Sequence, residues 1–303
     1  MLKESTGPLL IIIAALLWAF DGLIRQHLYT LPPITIIFYE HLIGFVILSP
    51  FVLKYLRNNK LSRKDWGLVL LISILSGLFG TLWFTTALGK VHFISLSVVF
   101  LLQKLQPIFA ITTATIFLKE KFERGYIPWA LAALASAYFV TFPNGTVNLA
   151  TGEGTAVAAL YALGAAFAWG SSTTFSKMLL GRVNSHVSTF YRFLFTTILT
   201  FAAVLLFGYK SSLSAPTTSQ FGLFALIAIS TGMVALLIYY KGLSKTPVHI
   251  STILELTFPF IAILIDMKVN HTSLVLTQWV AALILVFSIY RISKLRNESS
   301  LSS

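Results

Sequence analysis

The heptapeptide FYEHLIG, residues 38–44, returns in altered form as FYRFLFT at residues 190–196. An acid in the first copy, Glu40, is matched by a base in the second, Arg192. The same shift, 151 or 152 residues, superposes LLWAFDGLIRQ (16–26) on FAWGSSTTFSK (167–177) and LQPIFAI (105–111) on TFPFIAI (257–263). These matches predict two related halves, and weak internal symmetry of this kind is typical of membrane transporters.

Composition indicates that both halves lie in a membrane. Of the 303 residues, 56% are hydrophobic and 11% are charged, and the mean hydropathy is +0.84. Soluble domains carry about 25% charged residues. The net charge of +12 comes from basic residues in short loops between apolar runs, which is typical of membrane topology. We therefore expect the lipid bilayer, and no nucleic acid, as a partner. The absence of cysteine excludes disulfides and thiolate sites.

Ten apolar runs are long enough to cross a hydrocarbon core of about 30 Å as helices. They cover residues 8–26, 33–56, 66–88, 93–118, 127–143, 154–180, 185–208, 220–242, 248–267 and 273–292. None has the alternating pattern of a membrane β-barrel strand. The predicted fold is an all-α integral membrane protein with a first five-helix repeat at 8–141, an outer linker at 142–154, a second repeat at 155–293 and a cytoplasmic tail at 294–303.

The distribution of basic residues predicts the orientation. With the N-terminus inside, sixteen of the 22 Lys and Arg residues fall in cytoplasmic segments and four fall outside, which agrees with the positive-inside rule. Lys104 and Arg192 remain within the membrane. Both termini are therefore predicted to be cytoplasmic. Because each repeat has five helices, the second repeat is predicted to insert upside down relative to the first.

The motifs carry a family resemblance. Each half opens with a W-[AG]-x-[DS] stretch, at Trp18–Asp21 and Trp169–Ser172, and each has an [AG]-L-x-K stretch after its third helix, at 87–90 and 242–245. The first half also has the sequence FLKEK at 117–121. In this order the motifs resemble the EamA type of the drug/metabolite transporter superfamily over 8–141 and 155–293.

This resemblance implies a function, and the chain departs from the family pattern in two places. It implies a proton-coupled or facilitative carrier of small metabolites, often amino acids and frequently exported, in the cell membrane and without a bound cofactor. The second helix of each half usually carries an Arg in such proteins, but here the first half has Glu40-His41. Glu120 has no counterpart in the second half. The coupling mechanism and polarity are therefore not transferred from relatives.

Charged residues inside the membrane are costly and usually functional. At 1.5 Å per residue, Glu40 lies about 9 Å below the outer boundary and Arg192 about 10 Å above the inner one, so the two are not expected to pair. Residues at matching depth are Lys104 for Glu40 and Glu255 for Arg192. We predict an outer Glu40–Lys104 pair and an inner Arg192–Glu255 pair. They either gate transport or only hold helices together.

A second charged pair is predicted near the outer mouth. Asp21 and Arg25 are four residues apart on the first helix and therefore share a face. A stabilising pair is the simpler interpretation, and a gate is the alternative.

Polar and aromatic residues indicate a central cavity. Lys104, with Gln103 beside it, could receive a carboxylate, and Glu255 an amino group, which favours a zwitterion or another polar metabolite. Trp18 and Trp169 lie too deep for the interfacial aromatic belt, so they line either a hydrated cavity or the core. Trp83 and Tyr239 occupy the third helices of the two halves and are assigned to the same cavity.

Other classes of protein fit less well. The chain has no P-loop, no H-E-x-x-H and no G-x-S-x-G motif, and its six histidines show no metal-ligand spacing. We predict no enzyme activity and a secondary transporter that exports small polar metabolites by alternating access around a midplane site. A channel or a non-transporting scaffold is the alternative. The oligomeric state and the exact substrate stay open.

Overall fold

A computed structural model describes residues 6–57, 59–90, 98–147, 155–269 and 273–301, and these residues form helices and connecting turns with no strand. The α-helices are α1 Thr6–Trp18, α2 Asp21–Arg25, α3 Pro33–Leu56, α4 Arg63–Ile72, α5 Thr81–Lys90, α6 Val98–Gln103, α7 Gln106–Thr113, α8 Tyr126–Thr141, α9 Thr155–Leu180, α10 Ser185–Leu206, α11 Thr218–Ile229, α12 Met233–Leu243, α13 Val248–Leu254, α14 Thr257–Val269 and α15 Leu276–Leu301. Two π-helical segments, Ser73–Gly80 and Ala114–Leu118, follow α4 and α7.

Seven of the described helical segments are long and apolar enough to cross a membrane. They are Thr6–Arg25, Pro33–Leu56, Arg63–Lys90, Ala156–Leu180, Ser185–Leu206, Thr218–Leu243 and Leu276–Leu295. Three shorter apolar helices occupy Gln106–Leu118, Tyr126–Thr141 and Val248–Ala262. The all-helical membrane class predicted from the sequence is confirmed. The last helix continues through Leu301, so the predicted tail begins as helix, and residues 148–154 of the predicted linker lie outside the described residues.

Several predicted helices are interrupted. The run 93–118 is described from Val98 and breaks between α6 and α7, and the run 248–267 breaks between α13 and α14. In each case a proline follows closely, Pro107 as the second residue of α7 and Pro259 as the third of α14. Proline has no N–H group and its ring clashes with the carbonyl four residues earlier, so the preceding turn cannot continue as a regular α-helix.

The third helix of each half is irregular as well. In the first half, the π-helical segment Ser73–Gly80 separates α4 from α5. In the second half, residues 230–232 separate α11 from α12, and the N–H groups of Ser230 and Gly232 both donate to the carbonyl of Ile227. At the shift of 155 residues that aligns 87–90 with 242–245, these two irregular segments coincide. Such interruptions are frequent at functional sites of membrane helices.

The most extensive helix contacts join the first half of the chain to the second. α3 packs on α10 and α8 on α15, which are the second and the fifth helices of the two halves. α1 packs on α12 and α14, while α9 packs on α5 and α7, so the first helix of each half contacts the third and fourth helices of the other. The packing is therefore symmetric when the two halves are exchanged, and the interior lies between them.

Candidate functional site

A largely buried cluster of charged groups lies where α2 meets α3. The Nε of Arg25 lies 2.8 Å from Oδ2 of Asp21, and its Nη1 lies 2.7 Å from Oε1 of Glu40. The Thr231 hydroxyl donates to Oδ1 of Asp21 at 2.7 Å. Arg25 and Glu40 are both 5% exposed. One guanidinium thus holds two carboxylates, and Thr231 connects this cluster in the first half to the break between α11 and α12.

The predicted pair of Glu40 with Lys104 is not formed. Within the described residues Glu40 pairs with Arg25, and Lys104, on the turn between α6 and α7, makes no hydrogen bond or ion pair. The prediction matched residues by depth along continuous helices. The first helix instead breaks after Trp18 and resumes as α2, which brings Arg25 to Glu40. The predicted i,i+4 pair of Asp21 and Arg25 is present.

Arg192, on α10, is held by hydroxyl groups. Its Nη1 donates to the Tyr240 hydroxyl at 3.0 Å and its Nη2 donates to Oγ of Ser76 at 2.6 Å. The Tyr240 hydroxyl also lies 3.0 Å from Oγ of Ser176 on α9. This network joins the π-helical segment of the first half to three helices of the second. In the part of the chain that the structure describes, no carboxylate pairs with Arg192.

Glu255 lies in the break between α13 and α14 and also has neutral partners. Its Oε1 accepts a hydrogen bond from the Tyr239 hydroxyl at 2.6 Å, and its Oε2 accepts one from Nε2 of Gln106 at 3.1 Å. Gln106 is the first residue of α7, so this contact crosses between the halves. The predicted Arg192–Glu255 pair is therefore absent. Tyr239 donates to Glu255 instead, and the adjacent Tyr240 accepts from Arg192.

The aromatic residues assigned to a cavity divide into three places. Trp18 packs on Tyr239 with ring centroids 5.1 Å apart, which places it beside Glu255. Trp169 donates from Nε1 to the carbonyl of Ser76 at 3.2 Å and so joins the Arg192 network. Trp83 is stacked on Phe79 with ring centroids 4.8 Å apart and packs against Gly164 of α9, and Phe79 is 36% exposed.

The amide of Gln103 has a packing role. Its Nε2 donates to the carbonyl of Ala162 on α9 at 2.8 Å, so it fastens α6 to α9. The group that contacts Glu255 is Gln106, three residues later. The sequence prediction placed Gln103 in the cavity because it lies beside Lys104, and it did not include the break that separates Gln103 from Gln106.

A second charged cluster was not assigned from the sequence. Glu120 accepts hydrogen bonds from the N–H groups of Val248 and His249 at 2.8 and 3.1 Å, and its Oε2 lies 2.6 Å from Nδ1 of His249. Nε2 of the same ring lies 2.9 Å from Oε2 of Glu123. The cluster thus fastens the loop after α7 to the first turn of α13. The FLKEK motif was the available signal, but it did not reveal the partner.

The environment of Glu120 favours its ionised form. Burial opposes ionisation, but hydrogen bonds from the His249 side chain and from the N–H groups of Val248 and His249 outweigh it and lower the pKa of the Glu120 carboxyl. A carboxylate at the start of a helix is also stabilised by the helix dipole. The contact therefore depends on a charged Glu120.

Long apolar helices that enclose paired charged side chains define a multi-pass integral membrane protein. The model of the EamA-like transporter family matches residues 5–142 and again residues 156–294. The chain belongs to the EamA-like transporter family, within the drug/metabolite transporter superfamily, and is a transporter of the plasma membrane.

Two individual proteins are similar to this chain. The riboflavin transporter ImpX of Fusobacterium nucleatum subsp. nucleatum is 35% identical over 292 residues, which cover 95% of this chain and 98% of that protein. A solved crystal structure superposes with a TM-score of 0.77 at 19% identity and covers 99% of this chain and 100% of its own. At that identity the second likeness shows the fold alone.

Proposed function

We propose that the chain crosses the membrane ten times as two inverted five-helix repeats, 8–141 and 155–293, joined by an outer linker at 142–154, with both termini in the cytoplasm. The exchange symmetry of the helix contacts supports this arrangement, and so does the double match of the family model. Repeats of opposite orientation enclose a substrate site near the midplane in many secondary transporters.

We further propose that the solute carried is riboflavin or a close flavin. The observation that carries this proposal is the 35% identity with a riboflavin transporter over nearly the whole length of both chains. These residues suit a planar, uncharged heterocycle with a polyhydroxyl chain: Trp18, which is partly exposed, supplies an aromatic face, and Gln106 and Glu255 supply polar groups. Small-molecule sites commonly combine apolar walls with a few such groups.

A zwitterion such as an amino acid is the second candidate. Lys104 and Glu255 favour it, because in the described part of the chain neither makes an ion pair. An amino acid would place its carboxylate at Lys104 and its ammonium group at Glu255. Competition between the two solute classes decides between these candidates.

Alternating access in this proposal opens and closes the interior between the halves. The Asp21–Arg25–Glu40 cluster holds the outer side together, and the Glu120–Glu123–His249 cluster holds the cytoplasmic side. The breaks at Lys104 and Glu255 supply points where half-helices turn separately. We also propose that the protein exports its solute and that transport is coupled to protons. Assays in vesicles of defined orientation and with an imposed pH gradient test these two properties.

Transport by purified protein in proteoliposomes tests this function. We expect saturable riboflavin uptake and counterflow, in which unlabelled riboflavin inside the vesicles accelerates entry of labelled riboflavin. An excess of amino acids should not compete. Non-saturating flux without counterflow would indicate a channel, and competition by an amino acid would favour the zwitterion. Imposed pH gradients of either sign measure proton coupling, and vesicles of defined orientation measure direction.

A further inference from the structure

Glu255 differs from the other acidic side chains that the structure describes. Each of the others contacts a cationic or histidine side chain: Asp21 and Glu40 contact Arg25, Asp65 contacts Arg182, and Glu120 and Glu123 contact His249. Glu255 instead accepts from the neutral groups of Tyr239 and Gln106. A carboxylate in a membrane protein without a counter-charge is costly and marks a functional site.

The contact between Gln106 and Glu255 leaves hydrogen-bonding capacity on both side chains. A carboxylate has about four acceptor positions, and Glu255 uses two of them. An amide nitrogen carries two hydrogens, and Gln106 spends one on Glu255, with no second partner among the described residues. Both residues are partly exposed. A free acceptor therefore lies beside a free donor, at groups 3.1 Å apart.

A donor beside an acceptor is complementary to a cyclic amide, in which a ring N–H lies next to a ring carbonyl. We propose that Gln106 and Glu255 bind the imide edge of a planar heterocycle, with the ring N–H donating to Glu255 and the adjacent carbonyl accepting from Gln106. In riboflavin this edge is N3–H with its flanking carbonyls. The assignment rests on the proposed function, and it identifies the part of the solute that Gln106 and Glu255 bind.

Neighbouring residues fit the ring that carries such an edge. Trp18 is partly exposed and packs on Tyr239, whose hydroxyl holds Glu255, so an aromatic face lies next to the acceptor. A ring bound at Gln106 and Glu255 can stack on an aromatic side chain at that place. The four residues come from three helices, α1, α7 and α12, and from the break before α14, and they belong to both halves. Binding of the imide edge therefore engages both halves at once.

A pair of ligands and a pair of proteins test the assignment. The ligands are riboflavin and 3-methylriboflavin, which differ only in the N3–H group. The proteins are the full chain and its Glu255→Met variant, which keeps the side-chain length and removes the acceptor. Quenching of flavin fluorescence measures affinity, and thermal unfolding of the variant checks that it folds.

We expect N3 methylation to weaken binding to the unmodified protein at least about tenfold, because it leaves the carboxylate without its donor. The same methylation should leave affinity for the Glu255→Met variant nearly unchanged. Equal affinity of the unmodified protein for both flavins would overturn the assignment, as would an equal loss in both proteins. Should the variant not fold, the ligand comparison on the unmodified protein still decides.

The two proposals fail in different ways. Lumichrome, which has the imide edge without the polyhydroxyl chain, and thymine, which has it without a flavin ring, complete the panel. If riboflavin does not bind but thymine does, with loss on N3 methylation, the flavin assignment fails and imide recognition stands. If riboflavin binds irrespective of N3 methylation, the flavin assignment stands and imide recognition fails. If none of these compounds binds, both are overturned.

Discussion

The Asp21–Arg25–Glu40 cluster and the groups at Arg192 and Glu255 use the same residue types in opposite ways. In that cluster, Arg25 contacts both Asp21 and Glu40, so the charges satisfy each other. In the interior, Arg192 and Glu255 are each held by neutral side chains, through Tyr240 and Tyr239. A mutually satisfied cluster stabilises the bundle, whereas charges held by neutral groups remain open to a solute. Substitutions should therefore affect stability most at the first and binding most at the second.

Replacing Arg25 should have the largest effect on stability. Arg25→Ala leaves the buried carboxylate of Glu40 and the partly buried one of Asp21 without their cation, and breaking a buried pair costs about 3–5 kcal/mol. We expect a large drop in the thermal unfolding temperature in detergent. The triple variant with Asp21→Asn and Glu40→Gln removes both orphaned charges and should recover most of the loss. An unchanged unfolding temperature for Arg25→Ala would show that the cluster is not structural.

Gly170 on α9 tests the packing beside Gln106. A Cβ at this position would lie 2.6 Å from the Gln106 carbonyl oxygen and 2.9 Å from Cβ of Phe109. Gly170→Ala should therefore destabilise the protein by about 1–3 kcal/mol and weaken solute binding by displacing Gln106. The matched control is Gly222→Ala on α11, where nothing lies within 4 Å of the added Cβ, and it should be neutral or slightly stabilising.

Glu120 provides a charged contact outside the membrane with a defined pH dependence. Glu120→Gln should lower stability by about 1–2 kcal/mol at neutral pH, because charge-assisted hydrogen bonds to His249 and Val248 are lost. The pKa of Glu120 is lowered in the folded protein, so its contribution is complete above the ordinary carboxyl pKa and is lost as the pH falls through the folded value. Thermal unfolding of both proteins across pH should converge in acid. A constant difference would argue against an ionised Glu120.

Glu255→Gln should change stability least, by less than about 0.5 kcal/mol, because no cation loses a partner and an amide still accepts from Tyr239. Binding and counterflow of riboflavin should nevertheless fall about tenfold, since a charged acceptor is replaced by a neutral one. Tyr239→Phe is the companion variant, as it frees Glu255 without changing its charge. A large loss of stability in Glu255→Gln would place Glu255 with the structural clusters.

Much of this architecture could be predicted from composition and spacing. Long apolar runs, few charges and basic loops are enough for the helical membrane class, and an i,i+4 spacing is enough for the Asp21–Arg25 contact. The depth of a residue in the membrane was not enough to predict the partners of Glu40, Lys104, Arg192 and Glu255. Partners also depend on the direction in which a side chain leaves its helix.

A break in a helix changes that direction. The hydrophobic periodicity of the sequence does not show at which residue a helix breaks. Pro107 and Pro259 predict an interruption, but the chain breaks before residue 106 in one half and before residue 257 in the other. Gln103 ends α6 and Gln106 begins α7, so the break between them decides which of the two amides meets Glu255. The contacts of His249 could not be predicted for a different reason: its carboxylate partners lie more than a hundred residues earlier in the chain.

The number of residues in the π-helical segment Ser73–Gly80 matters for the contacts on either side of it, as well as their identity. It sets Ser76 against Arg192 on one side and, through the helix that follows, Thr85 against Arg25 on the other. Deleting one residue from this segment would restore a regular α-helix and turn the two ends by about 100° relative to each other. A regular helix could then keep only one of these two contacts, Ser76 with Arg192 or Thr85 with Arg25. We therefore expect a single-residue deletion in this segment to destabilise the protein more than most substitutions of the same residues.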